Sequence, residues 1–421
     1  MADPVVAIIG AGQAGFQTAS SLRQEGFGGR ILLIGDEPAL PYQRPPLSKS
    51  YLAGDSGLDE LWLRPEVFYE TQGIDLVIGE IVSAIDRPGR RLRLASGGEI
   101  ECDHVVLATG ARFRPLPVPG AELDGVLPLR TLADADILRG RLSEVRDVVV
   151  VGAGFIGLEF AAVARAAGVA VHIVEVTQQP MGRVVSAQTS RFFTEAHRGW
   201  GATISLGTGV ARILGSDGRV TAVETTDGRV LPADLVLICI GVLPNAELAA
   251  EAGLAVDNGI VVDRHLATGA AEIFAIGDCA NFPTRFAPTE QARGLTGHGR
   301  VRLESVQNGV DQARAVAAGI AGKPAPYDKV PWFWSDQAEL KLQIAGITAG
   351  HDASVVRGDP ESGSFSVFCF RHGRLLGVES VNRPADHIVA RRLLAGDPRL
   401  RPEEAADESF DLRAHAARRS S

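Results

Sequence analysis

The chain has little cysteine: four in 421 residues, at Cys102, Cys239, Cys279 and Cys369, with no CxxC or CxxxxC pair among them. Neither a disulfide framework nor a dithiol redox centre is expected from that spacing. Long apolar runs are also missing. Nothing approaches the roughly 18 residues of a membrane-spanning helix, and the start, MADPVVAIIG, has no basic stretch before its apolar residues. A soluble, unexported, cytoplasmic protein is expected. Positive charge is in deficit, 42 Lys and Arg against 51 Asp and Glu for a net −9, so nucleic acid and anionic membrane have no bulk electrostatic support as partners. The nine histidines lack paired metal-ligand spacing, and neither a metal site nor a histidine general base is expected. Repeats and low-complexity tracts are absent too. A composition 45% hydrophobic and 22% charged excludes disorder and suits two or three domains.

Glycine, by contrast, is abundant: 48 of 421 residues, about 11% against a usual ~7%, clustered in short turns between apolar runs. The run VVAIIG from Val5 breaks at Gly10, continues with helical periodicity through Leu22 and Arg23, and returns as ILLIG at 31–35. That is a βαβ unit. The same grammar recurs at 147–168, followed by the β-branched run VAVHIVEV at 169–176, which reads as a buried parallel strand. Turn-rich segments after each unit end in HVVLATG (104–110) and DLVLICIG (234–241), read as closing strands. FRPLPVPG at 113–120 reads as a crossover between domains, because proline blocks helix continuation and ladder pairing. The return crossover is placed at GVLPN (241–245), and strands after GKPAPYDK (322–329) suggest a third, α+β module. Residues 411–421 are polar and are expected to fray.

Two glycine fingerprints stand at the βα turns. Gly10, Gly12 and Gly15 form GxGxxG directly after an apolar strand, with Asp36 just past the second strand, where an acid accepts from ribose hydroxyls. Gly152, Gly154 and Gly157 repeat the pattern, with Glu175 in the ribose position. Such glycines let a pyrophosphate reach backbone N–H groups at a helix N-terminus, so two dinucleotides are expected. Glu175 would meet a 2′-phosphate as a like charge, a juxtaposition worth on the order of several kcal/mol, which favours NADH. Arg183 and Arg191 lie downstream and are the candidates for holding such a phosphate instead.

Further segments fit one family: YQRPPLSKSYL (42–52), LATGARFRPLPVPG (107–120), LRTL (129–132), AIGDCA (275–280), RLESVQN (302–308) and PWFWSDQ (331–337). On these the chain resembles, over nearly its whole length, the FAD-containing NADH:ferredoxin reductases of the putidaredoxin reductase and palustrisredoxin reductase type, which supply bacterial haem-thiolate monooxygenases. The resemblance implies a glutathione-reductase-like α/β fold with two Rossmann-like domains and a C-terminal α+β domain. It assigns 1–112 and 240–325 to FAD, 113–239 to NADH, and 326–421 to a C-terminal domain that covers the flavin and docks ferredoxin. Matched position by position, it implies that FAD contacts Gly10, Gly12, Ala14, Gly15, Asp36, Lys49, Val82, Arg130, Asp278 and Val306, the last from a helix beginning near Gln307. It pairs Lys49 with Glu159 near the flavin N5, on the hydride path, and puts Trp334 between flavin and docking surface. Plainer roles exist for each: a helix N-cap for Asp278, solvated surface positions for Lys49, Glu159 and Arg130, and packing for Val306 and Trp334.

The expected partner is a small, acidic [2Fe–2S] ferredoxin. Residues 371–401 carry seven Arg against Glu379, Asp386 and Asp397, 7 − 3 = +4, and Arg314 matches a family docking position, whereas Lys341 and Gln343 depart from the family arrangement. The stretch 281–300 is longer than the usual link and is expected to be a flexible surface loop. Other readings remain: the reductase component of a ring dioxygenase, an NADH oxidase or flavin monooxygenase, and a non-enzymatic NADH-responsive flavoprotein resembling apoptosis-inducing factor.

Overall fold

A computed structural model describes residues 3–287, 299–396 and 399–417. The chain forms two compact units: one comprises 1–43, 61–112 and 244–333, the other 44–60, 113–243 and 334–421. No helix among the described residues is long and apolar enough to cross a membrane.

The first unit is built on a five-stranded parallel sheet in the spatial order Ile273–Ala275, His104–Leu107, Val5–Ile9, Arg30–Gly35, Ile74–Ile78. Val5–Ile9 is central, and Val6, Ala7 and Ile8 are fully buried. Burial of such aliphatic side chains is worth about 1.5–3 kcal/mol each, which is why this run reads as continuously apolar rather than alternating. Helix Gln13–Gln24 follows directly and packs against helix Val306–Ile320. A three-stranded antiparallel meander, Val82–Asp86, Arg91–Leu94 and Glu99–Glu101, fills the connection to His104–Leu107.

The second unit repeats this plan. Its parallel sheet runs Thr203–Leu206, Ala170–Glu175, Asp147–Val151, Leu235–Ile238, Val126–Pro128, and the meander Val210–Ser216, Arg219–Thr225, Val230–Pro232 occupies the same place in the connectivity. Residues 44–60 belong to this unit: Pro45–Ser48 and Ser50–Ala53 pack on helices Phe155–Ala166 and Leu132–Leu142. Tyr51 fixes the seam by donating to Asp136 Oδ1 at 2.5 Å beneath the Arg139 guanidinium. A second sheet has the strand order Trp332–Gln337, Leu340–Gly346, Arg374–Val381, Ser364–Arg371, Ala353–Asp359, the last four paired antiparallel in turn, and is followed by helices Pro384–Ala395, Pro402–Ala406 and Leu412–Ala417.

Several sequence expectations need correction. The runs in HVVLATG and DLVLICIG do not close their sheets, because Ile273–Ala275 and Val126–Pro128 lie outside them. Residues 411–417 do not fray: Leu412–Ala417 is helical, with Leu412 and Ala416 buried, while 418–421 lie outside the described residues. Within 281–300, Ala280–Pro283 is a strand with Phe282 buried, and 288–298 lie outside the described residues. The late helix begins at Val306 itself, capped by Ser305, whose hydroxyl accepts from Asn308 N–H at 3.1 Å.

Candidate functional site

The first glycine turn divides its labour residue by residue. Gly10 has φ +110°, and a Cβ there would lie 2.1 Å from Ala108 O; a Cβ on Gly15 would lie 1.9 Å from Gly10 O. Both glycines are therefore required by the close packing of strand and helix. Gly12 differs. It caps helix Gln13–Gln24, its φ of −76° suits any residue, and nothing lies within 4 Å of its notional Cβ. The space beside the helix N-terminus, where N–H groups have no intrahelical partner, fits the approach of a pyrophosphate. Ala14 packs close to Gly277 and Gly309: a Cβ added at either glycine would lie 3.2 or 3.3 Å from the Ala14 methyl. Asp36 is exposed just beyond strand Arg30–Gly35. Asp278 sits within the 3-10 turn Gly277–Cys279, whose N-cap is Ile276, so the N-cap role does not apply to it. Val306 supplies the first amide of its helix, and Val82 opens the meander, buried at 8% exposure.

The second turn repeats the division. Gly152 has φ +100°, with its notional Cβ 2.4 Å from Cys239 O; that of Gly157 lies 2.3 Å from Gly152 O, and that of Gly154 meets nothing nearer than 3.9 Å. Glu175 is tied to the turn: Oε2 accepts from Ala153 N–H and Oε1 from Thr177 N–H, both at 2.8 Å. Arg183 and Arg191 are exposed.

Lys49 and Glu159 come together, and neither is a solvated surface residue. Lys49 Nζ lies 2.7 Å from Glu159 Oε2, and the Glu159 side chain is only 4% exposed, in the first turns of the helix that follows the second glycine turn. Two hydroxyls complete the carboxylate: Ser48 donates to Oε2 and Ser335 to Oε1, each at 2.6 Å. A buried carboxylate holds its charge only when so paired and bonded. Ser335 accepts from Gln337 Nε2 at 3.2 Å, and Gln337 Oε1 lies 2.8 Å from His197 Nε2. Sequence reasoning missed Ser48, Ser335, Gln337 and His197, although three of them lie inside quoted motifs. Trp334 alternates with Ser335 along its strand and so faces the other side. Arg130 lies in the loop before helix Leu132–Leu142, its carbonyl accepting from Arg44 at 2.7 Å, and Asp134 completes a capping box with Thr131.

All four cysteines are free thiols. Burial pushes Cys102 up to about 11 and, with Glu159 adding to it, Cys239 up to about 12; burial also raises Cys279 and Cys369. None offers a thiolate at neutral pH.

Two family models cover the chain: pyridine nucleotide-disulphide oxidoreductase over residues 4–313, and reductase C-terminal over 332–416. The chain belongs to the pyridine nucleotide-disulphide oxidoreductase family, in the branch carrying the reductase C-terminal region, which binds FAD and a nicotinamide dinucleotide. It is 52% identical to rhodocoxin reductase of Rhodococcus erythropolis over 413 residues, 98% of this chain and 94% of that protein. Among solved structures it is similar to the ferredoxin reductase for the CYP199A2 system from Rhodopseudomonas palustris, with a TM-score of 0.93, 51% identity, and coverage of 98% of this chain and 99% of that one. It is likewise similar to putidaredoxin reductase in its covalent complex with putidaredoxin, with a TM-score of 0.93, 40% identity and full coverage of both chains.

Proposed function

We propose that the protein is a cytoplasmic, NADH-dependent flavoprotein ferredoxin reductase that passes electrons singly to a small [2Fe–2S] ferredoxin serving a bacterial haem-thiolate monooxygenase. The observation that carries this reading is a pair of glycine turns shaped for dinucleotides in one chain whose four cysteines form no disulfide. Electrons taken from NADH have no protein disulfide to enter. When bound, FAD supplies two-electron acceptance and one-electron release.

The chain's own residues bind and orient. We assign FAD to 1–112 and 240–325, NADH to 113–239, and flavin cover and ferredoxin docking to 326–421. Gly10, Gly12, Ala14 and Gly15 form the FAD pyrophosphate cradle, with Asp36, Val82, Arg130, Asp278 and Val306 as further contacts. Gly152, Gly154 and Gly157 form the NADH cradle, and Glu175 selects against a 2′-phosphate. Lys49 is a cation fixed in place by Glu159, and a preorganised cation favours negative charge developing beside it. Trp334 is the aromatic on the electron exit.

Mixing purified protein with NADH and a panel of [2Fe–2S] ferredoxins, in air and without it, tests the reading. Rapid ferredoxin reduction is expected. Fast peroxide formation with every ferredoxin left oxidised would show an oxidase instead, and slow turnover with all acceptors would show a redox-responsive binding protein.

A further inference from the structure

We propose that Ser335 and Gln337, backed by His197, are positioning residues that hold the Glu159 carboxylate, and through it the Lys49 ammonium, in one orientation. The inference rests on reading Lys49 and Glu159 as part of the hydride path.

The hydrogen bonds run in one direction. Gln337 Oε1 can only accept, so the proton between it and His197 sits on Nε2. His197 is fully buried, its Nδ1 has no partner among the described residues, and burial lowers its pKa, which keeps the ring neutral with Nε2–H. Gln337 Nε2 then donates to Ser335 Oγ at 3.2 Å, which leaves the Ser335 proton for Glu159 Oε1 at 2.6 Å. From His197 through Gln337 to Ser335, one donor at each step points towards the carboxylate, and such chains polarise cooperatively. Gln337 Nε2 also lies 3.8 Å from Met181 Sδ, and Met181 N–H donates to Ala153 O in the second glycine turn at 2.9 Å. One anchor thus serves both the turn and the carboxylate. Because strand residues alternate, the segment that presents Trp334 on one face fixes Glu159 from the other. Ser48 and Lys49 hold Oε2, but among the described residues only Ser335 holds Oε1, so without its hydroxyl the carboxylate can turn about its terminal bond.

Anaerobic stopped-flow bleaching of the holoenzyme by NADH at pH 7 is the test. Ser335→Ala is expected to lower the limiting rate about tenfold, equivalent to about 1.4 kcal/mol, with NADH Kd within about twofold of wild type. Ser335→Thr, which keeps the hydroxyl, restores the rate, and Ser335→Ala added to Glu159→Gln slows bleaching no further than Glu159→Gln alone. Independently of turnover, 15N NMR of the His197 ring should show a neutral, Nε2-protonated imidazole, whose signal moves in Gln337→Leu. A Ser335→Ala rate equal to wild type beside a slow Glu159→Gln would overturn the positioning role alone, as would an Nδ1-protonated or cationic His197. A wild-type rate in Glu159→Gln would instead overturn the hydride-path reading and this inference with it.

Discussion

Gly12 and Gly15 stand three residues apart and respond differently to one added methyl. Gly12→Ala meets open space and a permitted φ, so the apoprotein should keep the melting temperature of the wild-type apoprotein yet fail to retain FAD, seen as loss of the visible flavin spectrum. Gly15→Ala drives a Cβ into Gly10 O and should cost about 1–3 kcal/mol of stability, read by denaturant unfolding. Equal stability loss in both variants would contradict the division of labour. Glu175 supports a further expectation: its like-charge encounter with a 2′-phosphate should make kcat/KM for NADH about 100-fold or more above that for NADPH, and Glu175→Ala should narrow that ratio. The spacing of these glycines and acids within short βαβ segments is what made them legible in the sequence. Ser48 and Ser335 were not legible, because they meet Glu159 across 111 and 176 residues and a lone serine carries no periodicity.

At the scale of elements, the parallel sheets were legible wherever strands are long and buried, as at Val5–Ile9 and Asp147–Val151. The outer strands Ile273–Ala275 and Val126–Pro128 have three residues each, too few to show a period. The terminal helices Pro402–Ala406 and Leu412–Ala417 escaped detection for another reason: they are held partly by one buried side chain. The Arg357 guanidinium donates to the carbonyls of Ala405, Asp407, Glu408 and Phe410. Arg357→Met should keep most of the packing and remove the donors, costing about 2 kcal/mol or more, with faster amide hydrogen exchange confined to residues 402–417. Uniform exchange across the chain would argue against such a clamp.

For the whole molecule, charge and titration set the conditions of work. Net charge is −9, yet Glu379 and Asp386, two of the acids counted in 371–401, are buried, so that region presents mainly arginine outward. Ferredoxin reduction should therefore weaken as salt shortens the screening length towards about 8 Å, whereas a flat salt profile would exclude a charge-steered partner. Burial and Arg391 lower His387 to about 4, and burial also lowers His104, His172 and His197. Such groups bind protons more readily when unfolded, so their contribution is present above pH ~6.5 and is lost as pH falls from there towards 4. The melting temperature should drop across that window, and His387→Leu should flatten part of the drop.

Electron stoichiometry tests the central claim most directly: anaerobic titration of the holoenzyme and excess [2Fe–2S] ferredoxin with limiting NADH, counting reduced clusters from their spectrum. Hydride in and single electrons out predicts two ferredoxins reduced for each NADH consumed. Consumption of NADH that leaves the ferredoxin oxidised, or purified protein that is colourless and cannot be reconstituted with FAD, would contradict it.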